Sequence, residues 1–346
     1  MSSTIARLAP SPTGALHLGN ARTFLINWLM ARKAGWRVLM RVEDLDGPRV
    51  KAGSAEAMLE ELAWLGLDWD GPVVRQSDRG PAYRVALENL IAGGHAYPCI
   101  CSRKDIEQAA SAPHEGDAAV YPGLCLGRFP AVGGHDTDGE GSDGFPGADP
   151  SQSTHLRSPA RIVSPDKLTG RTAAWRVRVD GQPITVHDKF AGEAAFDLTK
   201  TCGDFVVFKN DGLAAYQLAV VIDDAESGVD AIVRGDDLLE SAARQIHLRR
   251  LLGLSPEPRY WHLPLVIGPD GRRLAKRHGD TRLAHYRAAG ATPERILGLL
   301  GYWSGLVEAR RDSGLTELLA AFDIARVPKA RVVFSVDDDA FLTGGA

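Results

Sequence analysis

Cysteine is scarce, with four residues in a chain of 346, and that excludes a disulfide framework for a fold of this size. Long apolar runs are missing as well: no stretch approaches the ~20 consecutive apolar residues of a membrane span. The opening Met1-Ser-Ser-Thr-Ile-Ala-Arg7 lacks a basic region followed by an apolar one, the pattern of a secretory signal. The expectation is a cytoplasmic protein that makes no use of a membrane. Neither sign of charge dominates, 40 Lys and Arg standing against 44 Asp and Glu for a net −4, which excludes a nucleic-acid binder that works by global basicity. No internal repeat is found, so solenoids and propellers are set aside. What remains, with 44% hydrophobic and 24% charged residues, is a globular chain able to bury a sizeable core in two or three domains.

The chain opens with a short apolar run at residues 5–9, the turn-rich Pro10-Ser-Pro-Thr-Gly14, and an amphipathic helix over 21–33 with Asn20 as its cap. Gly35 ends that helix, and 36–42 reads as a buried strand. Strand, turn, helix, strand is a βαβ opening, whose ligand crevice lies at the carboxyl end of the first strand. Further helices are predicted over 52–66, 82–93 and 216–221, strands over 174–179, 204–209 and 231–234, and a mostly helical tail from 281. Residues 131–158 are rich in glycine and aspartate with almost nothing to bury, the composition of a solvated loop. Cys99, Cys101 and Cys125 share one segment while Cys202 stands apart. Clustered cysteines suggest a metal before a bridge, and the lone Cys202 reads as a core residue.

Two motifs carry phosphate chemistry. The first is Leu16-His17-Leu-Gly19-Asn20, between the first strand and its helix. A triphosphate needs backbone amides and a positive helix terminus close to its oxygens, and glycine permits that approach. His17 can donate to phosphate as charge moves. Alone, such a tetrapeptide is equally an ordinary turn. The second is Arg272-Arg-Leu-Ala-Lys276-Arg277, in a loop opened by Gly268-Pro-Asp-Gly271 and followed by Arg282 and Arg287. A lysine over the β- and γ-phosphates would stabilise departing pyrophosphate, although an isolated basic run is more often a solvated surface. The pairing changes the balance: a histidine motif after strand one, then a lysine motif about 260 residues later, is the order found in class I aminoacyl-tRNA synthetases.

The resemblance then becomes specific. Arg7-Leu-Ala-Pro-Ser11-Pro-Thr-Gly, Leu-His-Leu-Gly-Asn-Ala-Arg-Thr23, Arg41-Val-Glu43-Asp-Leu-Asp46, Asp204-Phe-Val-Val-Phe-Lys-Asn-Asp-Gly212 with Tyr216-Gln-Leu-Ala and Val221-Ile-Asp-Asp224, and Val233-Arg234-Gly-Asp-Asp-Leu238 follow one another in the order of glutamyl-tRNA synthetases. The loop at 272–277 resembles the family's Lys-Met-Ser-Lys-Ser motif, with Arg273 and Ala275 in place of Lys and Ser. Only about 70 residues follow Arg277, too few for an anticodon-binding domain. Cys99-x-Cys101, nineteen residues, then Tyr121-x3-Cys125, together with Val220 where glutamyl-tRNA synthetases carry asparagine, is similar to the truncated group that glutamylates queuosine in tRNA(Asp).

The resemblance implies a class I Rossmann-like α/β catalytic domain with a zinc-bearing insert and a short helical C-terminal element. The expected division is 1–92 and 204–265 for the two halves of the catalytic domain, 93–203 for the insert with its loop at 131–158, and 266–346 for the lysine loop and a truncated stem-contact element. It implies ATP with Mg²⁺, L-glutamate and the anticodon loop of tRNA(Asp) as partners of a monomer. His17 and Lys276 would be catalytic, and with Gly19 and Asn20 would bind ATP. Arg7 and Arg234 would take a carboxylate of glutamate, Ser11 and Glu43 its ammonium, and Tyr216 would line the pocket. Arg7 and Glu43 alone would be as well read as a core ion pair. Cys99, Cys101, Tyr121 and Cys125 would hold a structural Zn²⁺, with His114 and His95 as rivals of Tyr121 for the fourth place. The alternatives are a compact glutamyl-tRNA synthetase that charges a tRNA 3′ end, and an RNA-binding paralogue without catalysis.

Overall fold

The computed structural model of the protein describes residues 3–47, 50–109, 120–129, 172–272, 274 and 280–344. The loop at 131–158, His114, Arg273, Ala275, Lys276 and Arg277 therefore lie outside the described residues.

Ten strands form two sheets around the site: β1 (Ile5–Leu8), β2 (Arg37–Val42), β3 (Val74–Arg75), β4 (Ala96–Cys99), β5 (Ala174–Val177), β6 (Ile184–Asp188), β7 (Gly192–Phe196), β8 (Phe205–Phe208), β9 (Ala231–Gly235) and β10 (Arg259–Leu263). The larger sheet runs β3-β2-β1-β9-β10-β6-β7, parallel except for the antiparallel β6–β7 hairpin. The smaller is antiparallel, β4-β5-β8. The helices that matter for the site are α1 (Leu18–Lys33), α2 (Ser54–Trp64), α3 (Gly80–Ala92), α4 (Arg103–Ala109), α5 (Leu198–Thr201), α6 (Tyr216–Glu226) and α7 (Leu239–Leu251). No helix among the described residues is long and apolar enough to cross a membrane.

Successive side chains of a strand point to opposite faces, and the four central strands use that period to build two cores. Ala6 and Leu8, Val38 and Met40, Ala231 and Val233, and Trp261 and Leu263 pack on one face with α1 and the helical tail. Ile5, Leu39, Ile232 and Tyr260 pack on the other with α3, α6 and α7. Six of the seven tryptophans, Trp28, Trp36, Trp64, Trp69, Trp261 and Trp303, supply bulk to the first core, and Trp175 belongs to the second.

On that second face each strand changes character two residues further on. Arg7, Arg41, Arg234 and His262 follow the apolar quartet, and all four are buried. Burial of a charge is tolerable only with a partner, and α6 supplies one. Asp224 accepts from Arg41 Nη1 at 2.5 Å and lies 3.5 Å from Arg7 Nε. Asp223 beside it accepts from Gln76 (2.8 Å), Arg79 (2.8 Å) and the Tyr83 hydroxyl (2.9 Å).

Three expectations need correction. Helix α1 starts at Leu18, with His17 in the extended N-cap position, and Asn20 lies inside the first turn. The Leu18 amide bonds Thr281 O, 3.0 Å away in the tail, and His17 O accepts the Ala21 amide at 3.0 Å as the first bond of the helix, which puts the N-cap at His17. Residues 93–203 do not lie wholly outside the main sheet: β6 and β7 extend it, because the Lys189 amide donates to Tyr260 O at 2.8 Å and Asp188 accepts the His262 amide at 3.1 Å, which joins β6 to β10. Conversely β8, expected to resume the catalytic core, pairs with β5 in the small sheet. Cys202 is half-buried against the second core.

Asp224→Ala leaves two buried guanidinium groups short of their counter-charge. It should lower the unfolding free energy by about 3–5 kcal/mol, whereas Arg311→Ala, which breaks an exposed pair with Glu317, should leave the urea midpoint nearly unchanged. Urea titrations of both variants check the contrast.

Candidate active site

The strand order reverses between β1 and β9: the chain builds outward through β2 and β3 on one side and through β10 on the other. Such a switch point leaves a crevice at the carboxyl ends of the strands. A cleft of about 540 Å³ opens there. It brings together Arg7, Ser11 and His17 from β1 and the following turn, Gly19 and Asn20 from the start of α1, Glu43 just after β2, Tyr216 from the start of α6, and Arg234 from β9. Of the residues expected at the site, Lys276 lies outside the described residues, but Leu274 lines the cleft.

The N-terminus of α1 faces this space with its positive dipole end. His17 is held there by the tail, its Nδ1 3.1 Å from Thr281 Oγ1, and the Leu283 amide bonds Leu16 O at 2.9 Å. Gly19 permits close packing: a Cβ there would stand 3.4 Å from the Val266 Cβ. Ser11 is exposed, with its hydroxyl 3.4 Å from that of Thr13.

The floor is electrostatically biased. Arg7 and Glu43 do not simply neutralise each other: Arg7 pairs with Asp224, and Glu43 with Arg41 at 3.0 Å. Burial pulls the Arg7 guanidinium below its ordinary value despite Asp224. Burial acts against Arg41 too, yet Asp224, Glu43 and Asp223 outweigh it and hold that cation above its usual range. For Asp224, burial is overcome by Arg41 and Arg7, and the carboxyl stays below its ordinary value. Glu43 differs. Burial pushes its carboxyl up, against Arg41 and Arg7, so it stands to gain from a further cation. Burial, then Glu43, also raises the Tyr216 phenol. Arg234 bonds His262 Nε2 through Nε at 2.9 Å and Leu238 O through Nη2 at 3.3 Å.

Sequence reasoning passed over several residues that shape this cleft. Arg41 and Asp224 were inside quoted motifs, but their contact joins strand to helix across 183 positions. His262 carries no motif signal. In the apolar wall of Leu238, Leu265, Val266 and Leu274, Leu238 closes the Val233–Leu238 motif and the other three flank or lie within the basic loop, and that position is the available clue.

A second cluster lies at the end of β4. The sulfurs of Cys99, Cys101 and Cys125 all lie within 4.8 Å of one another, and Cys101 and Cys125 are 3.4 Å apart. The Tyr121 hydroxyl is 3.4 Å from Cys99 Sγ and accepts the Cys125 amide at 2.9 Å. Arg176 donates to Cys99 Sγ at 3.3 Å while its guanidinium lies 3.7 Å from the centre of the Tyr121 ring. His95 does not join the ligating group. Tetrahedral zinc thiolates, with Zn–S near ~2.3 Å, separate their sulfurs by about 3.8 Å, so the three thiols fit such an ion. Tyr121 is seated by a backbone bridge to Gly203, whose amide-side neighbour Cys202 accepts the Tyr121 N–H at 3.2 Å.

The family model for "tRNA synthetases class I (E and Q), catalytic domain" matches residues 4–130 and 141–335. A glutamyl-Q tRNA(Asp) synthetase of Symbiobacterium thermophilum is 43% identical, the match covering 98% of each chain. One of Pseudomonas aeruginosa is 39% identical over 95% of this chain and 96% of its own. Among solved structures, a glutamate tRNA ligase from Elizabethkingia meningosepticum in complex with its amino acid superposes with a TM-score of 0.76 at 26% identity, covering 99% of this chain and 69% of that one.

Gly203 has a φ of +65° and would place a Cβ only 2.4 Å from Tyr121 O. Gly203→Ala must therefore move the Tyr121 segment, and the protein should lose about 1–3 kcal/mol of stability, measured by thermal unfolding against the wild type.

Proposed function

This chain belongs to the class I tRNA synthetases of the glutamate and glutamine type, and we propose that it activates glutamate with ATP and transfers the glutamyl group to the queuosine at the wobble position of tRNA(Asp). The convergence of guanidinium groups, a helix N-terminus and an under-neutralised Glu43 in one cleft carries the first half of this reading. Near-complete coverage by relatives named for the queuosine reaction supports the second.

Arg7 and Arg234 receive a carboxylate of glutamate, since guanidinium forks match carboxylates. Glu43, with Ser11, takes the ammonium, and Tyr216 closes the pocket. The apolar wall at Leu238, Leu265 and Val266 gives a planar base a dry surface, with Gly19 and Asn20 beside the phosphates. An oxygen of glutamate's α-carboxylate attacks the α-phosphorus of ATP. A new P–O bond forms, the bond to the bridging oxygen breaks, and pyrophosphate leaves. His17 and Lys276 stabilise the charge that develops. Mg²⁺ carried with ATP would screen its phosphates. A hydroxyl of queuosine's cis-diol then attacks the acyl carbon and AMP departs. The protein supplies orientation and electrostatics, with no covalent nucleophile. We read the molecule as a monomer.

Zn²⁺, held by Cys99, Cys101, Cys125 and Tyr121, would close a structural site in the insert. When bound, it cross-links the end of β4 to the segment that carries Tyr121 and Cys125.

Glutamate-dependent ATP–pyrophosphate exchange should appear without tRNA, and Lys276→Ala should depress it by about 10²–10³. With tRNA(Asp) containing queuosine and labelled glutamate, nuclease digestion and mass spectrometry should recover the label on the anticodon-loop fragment. Label on the 3′ terminal adenosine would instead establish the compact 3′-charging synthetase, and absence of exchange would leave the non-catalytic paralogue.

Elemental analysis should find one zinc per chain in protein purified without chelator. Cys125→Ser should release it and lower the melting temperature. Tyr121→Phe should weaken retention; unchanged affinity in that variant would hand the fourth place to another ligand.

A further inference from the structure

Arg234 differs from the other buried arginines of the cleft in what it touches. Arg7 and Arg41 lie against carboxylates, but the hydrogen bonds of Arg234 among the described residues go to neutral acceptors, His262 Nε2 and Leu238 O. Its Nη1 is buried without a hydrogen-bond partner among the described residues, and the guanidinium rests over the Tyr260 ring, 5.5 Å from the centroid.

The protonation of His262 follows from its neighbours. Arginine Nε can only donate, so His262 Nε2 must present its lone pair. The other nitrogen, Nδ1, stands 2.6 Å from Asp188 Oδ2 and carries the proton. Asp188 is committed as an acceptor on every side: it also takes the amides of His262 (3.1 Å), Phe190 (2.8 Å) and Ala191 (2.6 Å). The three groups stand on three adjacent parallel strands. His262 is the register partner of Arg234, and Asp188 is the register partner of Tyr260, two residues before His262. The imidazole is fully buried and held at both nitrogens, by Arg234 Nε at 2.9 Å and Asp188 Oδ2 at 2.6 Å, with the Tyr260 ring near-parallel to it at a centroid distance of 5.9 Å. The hydrogen bond at one imidazole nitrogen sets the state of the other.

We propose that Asp188 and His262 are positioning residues for Arg234, a relay across the sheet that orients its guanidinium through a neutral acceptor and so keeps its charge for the substrate's carboxylate. A carboxylate in the place of His262 would orient Arg234 equally well but would compete with glutamate for it. The neutral imidazole avoids that competition, with the negative charge set one group back. This rests on the reading that Arg234 receives a carboxylate of glutamate.

The experiment measures KM for glutamate and for ATP separately in pyrophosphate exchange, with thermal unfolding of each variant. His262→Ala leaves Arg234 Nε unpaired and should raise the glutamate KM by about tenfold or more, with the ATP KM unchanged. His262→Gln, whose amide oxygen can accept from Nε, should recover most of the loss. Asp188→Asn keeps shape but sets an amide N–H against Nδ1. It favours the other tautomer, which points an N–H at Arg234, and it should raise the glutamate KM selectively as well. It also serves if His262→Ala does not fold. An unchanged glutamate KM, a parallel rise in both KM values with falling stability, or a glutamine variant no better than alanine would overturn the relay. Arg234→Lys separates the two levels. If it leaves the glutamate KM unchanged, the carboxylate reading of Arg234 falls and the relay with it; if it raises that KM while His262→Ala and Asp188→Asn do not, the relay alone falls.

Discussion

The contact of Arg41 with Asp224 is the constraint around which the rest of the site is arranged. A guanidinium taken out of water must find a counter-charge close by, or its desolvation exceeds what packing returns. Asp224 meets Arg41 at 2.5 Å and ties β2 to α6. One carboxylate serves two arginines, because Arg7 lies 3.5 Å from the same side chain. The consequence is an uneven distribution of charge: Asp224 meets both Arg41 and Arg7, while among the described residues Glu43 pairs with Arg41 alone and lines the cleft.

Strand alternation explains how such chemistry is held in a rigid frame. On one face, the first half of each central strand is apolar and anchored, and the second half is polar: Arg7 and Arg234 line the cleft, with Arg41 and His262 buried beside them. The same backbone that packs Ile5, Leu39, Ile232 and Tyr260 therefore aims Arg7, Arg41, Arg234 and His262. Precision comes from the sheet, while the turn at residues 10–17 and the tail at Thr281 bring the N-terminus of α1 to meet it.

Much of this was legible in the sequence. The first strand, the helix after it and the residues at 7, 11, 17, 19, 20, 43, 216 and 234 were readable because each sits in a motif whose spacing is local or whose family order is distinctive. What was not legible depends on pairing across the chain. The cap of α1 was misplaced onto Asn20 because the group that satisfies the helix start comes from Thr281. The β6–β7 hairpin was absorbed into the insert, since nothing in its alternation says which sheet it will join. His262 looks like any buried histidine until register sets it beside Arg234. The tight cluster of three thiols was anticipated by spacing alone, and Arg176 beside it was not.

The separation of the two cores has a consequence for light. Six tryptophans crowd the α1 side of the sheet, where Arg259 lies 5.4 Å from the centre of the Trp36 ring and 5.7 Å from that of Trp261. Trp175 is the lone indole on the other side, in the strand that pairs with the cysteine-bearing β4. Six of the seven indoles thus report on the core beside α1 and one on the small sheet. With the six replaced by phenylalanine, the remaining indole would be an optical reporter for the small sheet and its thiols, in a molecule whose charged face is otherwise dark.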